Sequence, residues 1–522
     1  MKPRVRIAPS PTGVLHIGTA RTALFNYLFA KKYDGNFILR IEDTDKERSD
    51  AKYEKDIIDG LKWLGLEWTE GPEKDGKYGP YKQSERMPIY AKYLEKLLSE
   101  GKAYYCFCSE DELNTQKEYL RSIGQSLIYS GKCKDLSTQE VVEKLKNKEP
   151  FIIRFKTPNR KVKFKDLIRG DLEFDSSLIG DIAIAKSLTL PLYNFAVVVD
   201  DFEMKISHII RGEDLLSNTP KQILIQEALG FSQPKYAHLP LILGSDKSKL
   251  SKRHGAVGLL EYKRKGYLPE TMINFIAFLG WNPGTEKEIF SLKSLIKEFS
   301  LEKVQSGGAI FNIKRLEFLN AFYVRQKSVE KITEFCIPYF IKAGFIEVTE
   351  ENISKPLVKL SGQTELIPKQ KFKIKETGEI IDQNYLERII SLYHERLKIF
   401  SEITELTDFF FKKEIWYERD LLIWKDIENH NLVSAFAKLG SLLSKIEDKD
   451  WSKDNLEKIL MPEAEKFGKE IGSEKGDRGY LLWPLRVSLT GHKNSAGPFE
   501  IAEILGKEKT LKRIKNASSK LN

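Results

Sequence analysis

Apolar and polar positions fall into short periodic blocks along the first fifty residues. Val5-Arg6-Ile7-Ala8 predicts a strand, and Pro9-Ser-Pro-Thr-Gly13 breaks it. From Ile17 to Lys32 apolar side chains recur at Ala20, Leu24, Tyr27 and Leu28, the stripe of a helix. Asn36-Phe-Ile-Leu-Arg-Ile41 predicts a second strand, closed by the acidic cluster Glu42-Asp43-Thr44-Asp45. Strand, loop, helix and strand begin a βαβ unit, whose crossover helix favours a parallel sheet. Ligands of such sheets sit beyond the carboxyl ends of the strands, where Ala8–Ser10 and Glu42–Asp45 fall.

The texture changes near Cys106. A Lys/Glu-rich helical stretch (Ser137 to Lys148) and a strand, Phe151-Ile-Ile-Arg-Phe155, lie in a stretch read as an insertion over residues 85–190. The α/β pattern resumes at Tyr193-Asn-Phe-Ala-Val-Val-Val-Asp-Asp201, expected to be an apolar strand ending in two carboxylates. His208-Ile-Ile-Arg-Gly-Glu-Asp214 and a helix from Thr219 to Leu229 follow. Beyond Leu259 the spacing is helical, with amphipathic segments at Ile289–Phe299 and Glu330–Ala343, the second expected to break at Pro338. Glu350–Tyr385 is polar and irregular and reads as a linker or loop, and helical spacing returns over Asn384–Phe411 and Asn431–Ile446.

Composition narrows the classes. The 522 residues are 41% hydrophobic and 31% charged, which excludes a wholly disordered chain and implies several domains. A net charge of +10 suits a polyanionic partner without requiring one. The apolar run at Leu192–Val199 is too short to cross a bilayer, so no membrane role is expected. The N-terminus has no apolar stretch of a signal peptide, and four cysteines are too few to staple a chain this long, so a reducing, cytoplasmic setting is expected.

Two segments carry phosphate chemistry. Pro9-Ser-Pro-Thr-Gly-Val-Leu-His16-Ile-Gly18 delivers a histidine and a glycine to the start of a helix, where free N–H groups and the helix dipole favour phosphate. Gly18 lets a flat nucleotide approach the backbone, and His16 offers a donor; the alternative is a capped strand–helix turn. Gly244-Ser-Asp-Lys247-Ser-Lys249-Leu-Ser251-Lys252-Arg253-His254-Gly255 is dense in cations, and its alternative is a solvated basic surface. Together the two segments would bracket a triphosphate.

With these residues in view, the chain resembles a class I aminoacyl-tRNA synthetase. Pro9–Thr19 matches the HIGH region and Lys249-Leu-Ser-Lys-Arg253 the KMSKS loop. The finer resemblance is to the bacterial-type glutamyl-tRNA synthetase family, on Arg6-Ile-Ala-Pro-Ser-Pro-Thr-Gly, Arg40-Ile-Glu-Asp-Thr-Asp45, Tyr193-Asn-Phe-Ala, Val198-Val-Asp-Asp, His208–Asp214 and Trp483-Pro-Leu-Arg-Val-Ser-Leu-Thr-Gly491. The resemblance implies an α/β fold, with a Rossmann-like parallel-sheet catalytic domain, an inserted acceptor-binding domain and a mostly α-helical anticodon-binding region. Its implied boundaries are 1–84 and 191–245 for the catalytic halves, 85–190 for the insertion and 246–330 for a stem-contact region with the KMSKS loop. Helical anticodon-binding subdomains would span 331–410 and 411–522.

The implied reaction is ATP-dependent attachment of glutamate to tRNA(Glu) through glutamyl-adenylate, with Mg2+ accompanying ATP. His16, Lys249 and Lys252 would act on the phosphates. Gly18 and Asp214 would complete the ATP site with His16 and Lys252. Arg6, Ala8, Ser10, Glu42, Tyr193 and Arg211 would form the glutamate pocket, arginine offering a planar fork to a carboxylate and Glu42 holding the α-ammonium. The alternative is that Arg6 and Arg211 merely pair with Glu42 or Asp214. Val197 departs from the pattern, since some relatives carry a polar residue there.

Cys106 and Cys108 enclose a single residue and Cys133 follows, a layout similar to the zinc site in some relatives' insertions. A closed tetrahedral Zn2+ site needs a fourth ligand. Asp135 occupies the family's histidine position, and Tyr129 is the other candidate; the alternative is three buried thiols without metal. Many Lys/Arg–phosphate contacts are expected with the tRNA, and a monomer is expected. The rival functions are a synthetase that also charges tRNA(Gln) and an inactive tRNA-binding paralogue.

Overall fold

The structure is a computed structural model, and it describes residues 2–45, 47–251, 257–349 and 371–521. The chain divides into two compact units, Met1–Arg264 with Pro269–Leu316, and Lys265–Leu268 with Glu317–Asn522.

In the first unit, β1 (Arg4–Ile7), α1 (Ile17–Lys32) and β2 (Asn36–Leu39) form the expected βαβ start, β1 and β2 pairing in parallel from Arg4↔Asn36 to Ile7↔Leu39. Helix α1 buries Ala20, Leu24, Phe25 and Leu28 completely, and burial of each large apolar side chain is worth about 1.5–3 kcal/mol. Two helices follow, α2 (Ala51–Trp63) and α3 (Met87–Ser99). Next come β3 (Ala103–Cys106), α4 (Glu110–Ser122), α5 (Thr138–Lys146), β4 (Ile152–Phe155), β5 (Lys161–Asp166), β6 (Gly170–Asp175), β7 (Ile182–Ser187) and β8 (Leu190–Pro191). Serine N-caps with reciprocal glutamates, Ser109 with Glu112 and Ser137 with Glu140, start α4 and α5. The unit then continues through α6 (Tyr193–Glu203), β9 (His208–Gly212), α7 (Thr219–Leu229) and β10 (Lys235–Leu239).

Strands β3, β4, β7 and β8 make an antiparallel sheet of their own. The hairpin β5–β6 does not join it. Strand β5 runs parallel to β10, giving the order β6-β5-β10-β9. Beside β9 lies β1, tied to it where the Ser207 N–H donates to the Arg4 carbonyl at 2.9 Å and the Arg4 N–H to Ser207 Oγ at 2.9 Å. The ends of β1, β2 and β9 thereby face one region, which fits the Rossmann-like expectation.

One expected element changes type. Tyr193–Asp201 is not a strand but most of helix α6. Phe195 to Asp201 are all buried, and a short run buried on every side carries no period to separate helix from strand. The two carboxylates consequently end a helix.

The second unit is built mainly of helices around one core that includes Ile332, Phe340, Leu386, Phe409, Leu439 and Leu485. Its helix Val329–Lys342 runs through Pro338 without ending there. Burial of Ile332, Cys336, Ile337 and Phe340 on one face outweighs the backbone bond that proline forfeits. Within the expected linker 350–385, residues 350–370 lie outside the described residues. In the rest of it, Lys371–Ile374 and Ile380–Asp382 join Ile346–Val348 in a three-stranded antiparallel sheet, followed by the helix Gln383–Ser391. The expected helical stretch to Phe411 breaks after Ser391 into short turns at Phe400–Glu402, Ile403–Thr407 and Asp408–Phe410. Asn429–Ser444 is a helix, and Pro498–Ser519 is two helices joined at a kink where Gly506 takes a left-handed φ of 79°. Among the described residues, no helix is long and apolar enough to cross a membrane.

Candidate active site

The loop after β1 is held from three sides. Glu42 N–H donates to the Pro9 carbonyl and Asp50 N–H to that of Pro11, each at 3.0 Å, while Leu15 N–H reaches Asp56 at 2.7 Å. It delivers His16 to the N-cap of α1, where the ring accepts from Thr19 N–H. A side chain at Gly18 would bring Cβ to 3.2 Å from the His16 ring, close enough that the imidazole would have to shift slightly.

The downstream cationic segment comes to the same place. It opens as a hairpin, with Leu250 N–H donating to the Ile242 carbonyl and Gly244 N–H to that of Ser248, both at 2.9 Å. Lys247 takes a left-handed φ of 61° at its turn. Lys252, expected to be catalytic, falls outside the described residues. From Val257 onward the backbone is sewn to the first motif: His16 and Gly258 form a β-bridge, and Leu259 N–H donates to the Leu15 carbonyl at 2.6 Å.

A cavity of about 810 Å³ lies between the two segments. Its lining brings together Arg6, Ala8, Ser10, His16, Gly18, Glu42, Tyr193, Arg211, Asp214 and Lys249, every described residue expected there. Burial lowers the pKa of His16, a shift opposed by Asp214 and reinforced by Lys249. The ring is therefore neutral at pH 7, and its Nε2 lies 3.2 Å from Thr19 Oγ1.

The charged residues divide into two groups. Arg6 Nε and Nη2 grip both oxygens of Asp201 at 3.0 and 3.1 Å. Arg40, wholly buried, donates to Asp201 at 2.7 Å and to Glu42 at 2.9 Å. Arg86, Gln83 and Tyr90 hold Asp200 at 2.7, 2.8 and 2.9 Å. Burial works to raise the pKa of Asp201, but Arg6 and Arg40 keep it below the usual carboxylate value. Glu42 ends above it, because burial outweighs its arginine. Asp200, Asp201 and Arg40 thus support the site from behind, a role that their motifs alone did not disclose.

Arg211 is different. It is 3% exposed and, among the described residues, has no carboxylate partner. Nε donates to His238 Nε2 at 3.2 Å, and Nη2 to Thr219 Oγ1 at 2.8 Å and to the Leu215 carbonyl at 3.4 Å. Nη1 is buried with no acceptor. An unanswered guanidinium N–H pair is costly, and Arg211 lines the cavity. Pairing of Arg6 or Arg211 with Glu42 or Asp214 does not occur: Arg6 takes Asp201 and Arg211 takes neutral acceptors.

Arg21 was not anticipated. It lies on α1, lines the cavity and donates to the carbonyls of Pro240 and Leu279, the latter at 3.1 Å. Its signal in the sequence was only a cation inside an apolar helical stripe.

At the end of β3 the sulfur atoms of Cys106, Cys108 and Cys133 lie within 4.8 Å of one another. Tyr129 Oη is 3.4 Å from Cys106 Sγ and 3.3 Å from Cys108 Sγ, and it accepts from the Cys133 N–H at 3.1 Å. Asp135 does not join them. It is exposed, because the chain turns back at Cys133, where Lys134 N–H donates to the Gly131 carbonyl. Three thiols and a phenol oxygen around one point are a donor set of the sort zinc accepts.

The family described as tRNA synthetases class I (E and Q), catalytic domain, matches residues 2–318, and the family described as anticodon binding domain matches residues 348–518. The chain is 45% identical over 521 residues to glutamate–tRNA ligase 1 of Caldicellulosiruptor saccharolyticus, covering 98% of both chains. It is 42% identical over 520 residues to glutamate–tRNA ligase of Carboxydothermus hydrogenoformans, covering 98% of this chain and 99% of the other. Among solved structures it resembles a glutamate tRNA ligase from Elizabethkingia meningosepticum in complex with its amino acid, with a TM-score of 0.81 and 32% identity over the whole of both chains.

Proposed function

The chain belongs to the glutamate branch of the class I aminoacyl-tRNA synthetases and joins glutamate to tRNA with ATP and Mg2+, and we propose that the cavity between the two sewn segments is where it does so. The observation that carries this reading is Arg211, a buried cation on the cavity wall whose Nη1 has no acceptor among the described residues. A glutamate side-chain carboxylate supplies that acceptor, and a glutamine amide supplies only half of it.

In the first step an oxygen of the glutamate α-carboxylate attacks the α-phosphorus of ATP and pyrophosphate leaves. Arg211 and Arg6 bind the side-chain carboxylate, Glu42 takes the α-ammonium, and Ala8, Ser10 and Tyr193 shape the remaining wall. Gly18 admits the adenosine, with Asp214 beside it. His16, Lys249 and Lys252 answer the phosphate charge. Such donors, set in advance where charge develops, are worth roughly 3 kcal/mol each in a dry site. In the second step a hydroxyl of the terminal ribose of the tRNA attacks the activated carbonyl and AMP leaves. Positioning dominates both steps, since nearly every reacting group is an anion.

A structural Zn2+ would be held by Cys106, Cys108, Cys133 and Tyr129, tying the end of β3 to the loop before α5. Residues 85–190 would take the acceptor end of tRNA(Glu), and 331–410 and 411–522 its anticodon arm. The reading extends to a monomer and to a cytoplasmic setting, the latter supported by the four free cysteines.

The test is aminoacylation of purified tRNA(Glu) and tRNA(Gln) with glutamate and with glutamine. Charging of tRNA(Glu) with glutamate alone is expected. Charging of tRNA(Gln) would widen the enzyme's tRNA choice, and a preference for glutamine would overturn the role given to Arg211.

A further inference from the structure

Behind Arg211 lies a buried polar chain that the chemistry above leaves unused. Arg211 and His238 are cross-strand partners on β9 and β10. His238 is fully buried, and its Nε2 accepts from Arg211 Nε at 3.2 Å and from Thr219 Oγ1 at 3.0 Å. Thr219 Oγ1 itself accepts from Arg211 Nη2, so its hydroxyl proton is left to donate to the imidazole and the small ring closes. On the other side of the imidazole, Nδ1 lies 2.7 Å from Asp166 Oδ2. Asp166, 1% exposed, also accepts from the backbone N–H groups of Ile168, Arg169 and His238, at 2.9, 3.0 and 3.1 Å.

This geometry fixes the tautomer. Nδ1 must carry the proton to meet a carboxylate, and Nε2 must keep its lone pair to meet two donors. Burial lowers the pKa of His238 and Arg211 adds to the effect, while Asp166 opposes it, so the ring is neutral at pH 7. A neutral imidazole thus separates a buried carboxylate from a buried guanidinium, and every hydrogen on Nε and Nη2 of Arg211 has an acceptor.

We propose that Asp166 and His238 are positioning residues which, together with Thr219, lock the Arg211 guanidinium so that Nη1 alone is presented to the side-chain carboxylate of the amino-acid substrate. The proposal rests on the reading that Arg211 binds that carboxylate. Asp166 holds the imidazole, the imidazole holds Nε, and the fork cannot swivel about its last side-chain torsions. Preorganisation of this sort acts on glutamate and leaves ATP alone.

The experiment is steady-state aminoacylation by the full-length enzyme at saturating tRNA, with KM for glutamate and for ATP measured separately. His238→Leu is expected to raise the glutamate KM by ~10-fold or more, the loss of one hydrogen bond to a charged group, with the ATP KM unchanged. His238→Gln, whose amide oxygen can stand where Nε2 stood, should recover most of that loss. Asp166→Asn, which frees the ring, should raise the glutamate KM in the same selective way and serves if the leucine variant does not fold. Arg211→Ala is the control. If it raises the glutamate KM and neither His238→Leu nor Asp166→Asn does, the positioning role is overturned and the reading of Arg211 stands. If both KM values rise in parallel in the His238 and Asp166 variants, their role is structural and the proposal also fails. If Arg211→Ala leaves the glutamate KM untouched, the reading of Arg211 falls first and the proposal with it.

Discussion

Arg6 on β1 and Asp201 on α6 meet face to face, the guanidinium gripping both carboxylate oxygens at 3.0 and 3.1 Å with each side chain almost wholly buried. Arg40 shares the same carboxylate. Asp201→Asn therefore strips a charge from between two buried cations. Breaking a buried pair in this way costs about 3–5 kcal/mol, so denaturant unfolding of the variant should show a loss of that size. A loss comparable to that of an exposed ion pair would mean that the arginines find other partners.

The cationic hairpin should act on the phosphates rather than on tRNA. Lys249→Ala and Lys252→Ala are each expected to slow glutamyl-adenylate formation by roughly 10²-fold, the order seen when a preorganised donor is removed. Filter binding should find tRNA affinity almost unchanged. Equal losses in both assays would reassign these lysines to the RNA surface.

The cysteine cluster predicts a metal content. The purified chain should carry one zinc by atomic emission, and Cys108→Ser should lose most of it. Because Tyr129 Oη stands beside two sulfurs while Asp135 is exposed, Tyr129→Phe should give up zinc to a chelator sooner than wild type, and Asp135→Ala should not. Metal-free wild-type protein, grown with zinc supplied, would leave the cluster as three thiols.

Stability should fall on mild acidification through His208. Burial brings its pKa down to about 4, with Lys235 contributing, and its ring packs 4.9 Å from that of Phe29. Between the ordinary value near 6.5 and about 4, the unfolded chain takes up a proton that the folded chain refuses. The folded state is then disfavoured as pH falls through that window and unaffected above it. Thermal melts at pH 7 and pH 5 should show a smaller drop for His208→Gln than for wild type. Identical drops would remove His208 as the cause.

Much of the site could be read along the chain because its parts are local. The turn before α1, the placement of His16 and Gly18 and the density of lysines near 249 follow from neighbouring residues. What depends on distant neighbours stayed hidden. The stretch Phe195–Val199 is apolar on all sides, so nothing in its spacing distinguishes helix α6 from a strand. Asp200 and Asp201 are visible as carboxylates, but their partners stand on β1, just past β2 and just before α3. His238 is a lone histidine in a strand, and its meaning comes only from Asp166 on one side and Arg211 on the other. Asp135 was favoured by its place in a motif, and a tight turn left Tyr129 at the sulfurs instead.

The hairpin of β5 and β6 bears on any attempt to make a smaller version of this protein. It is encoded in the last third of a stretch that invites removal as a cassette, yet its first strand pairs in parallel with β10 and ends at Asp166. Excising 85–190 whole would bare the flank of β10 and take away the carboxylate beneath His238. A viable miniature would have to keep 161–175 and bridge it with new turns on both sides.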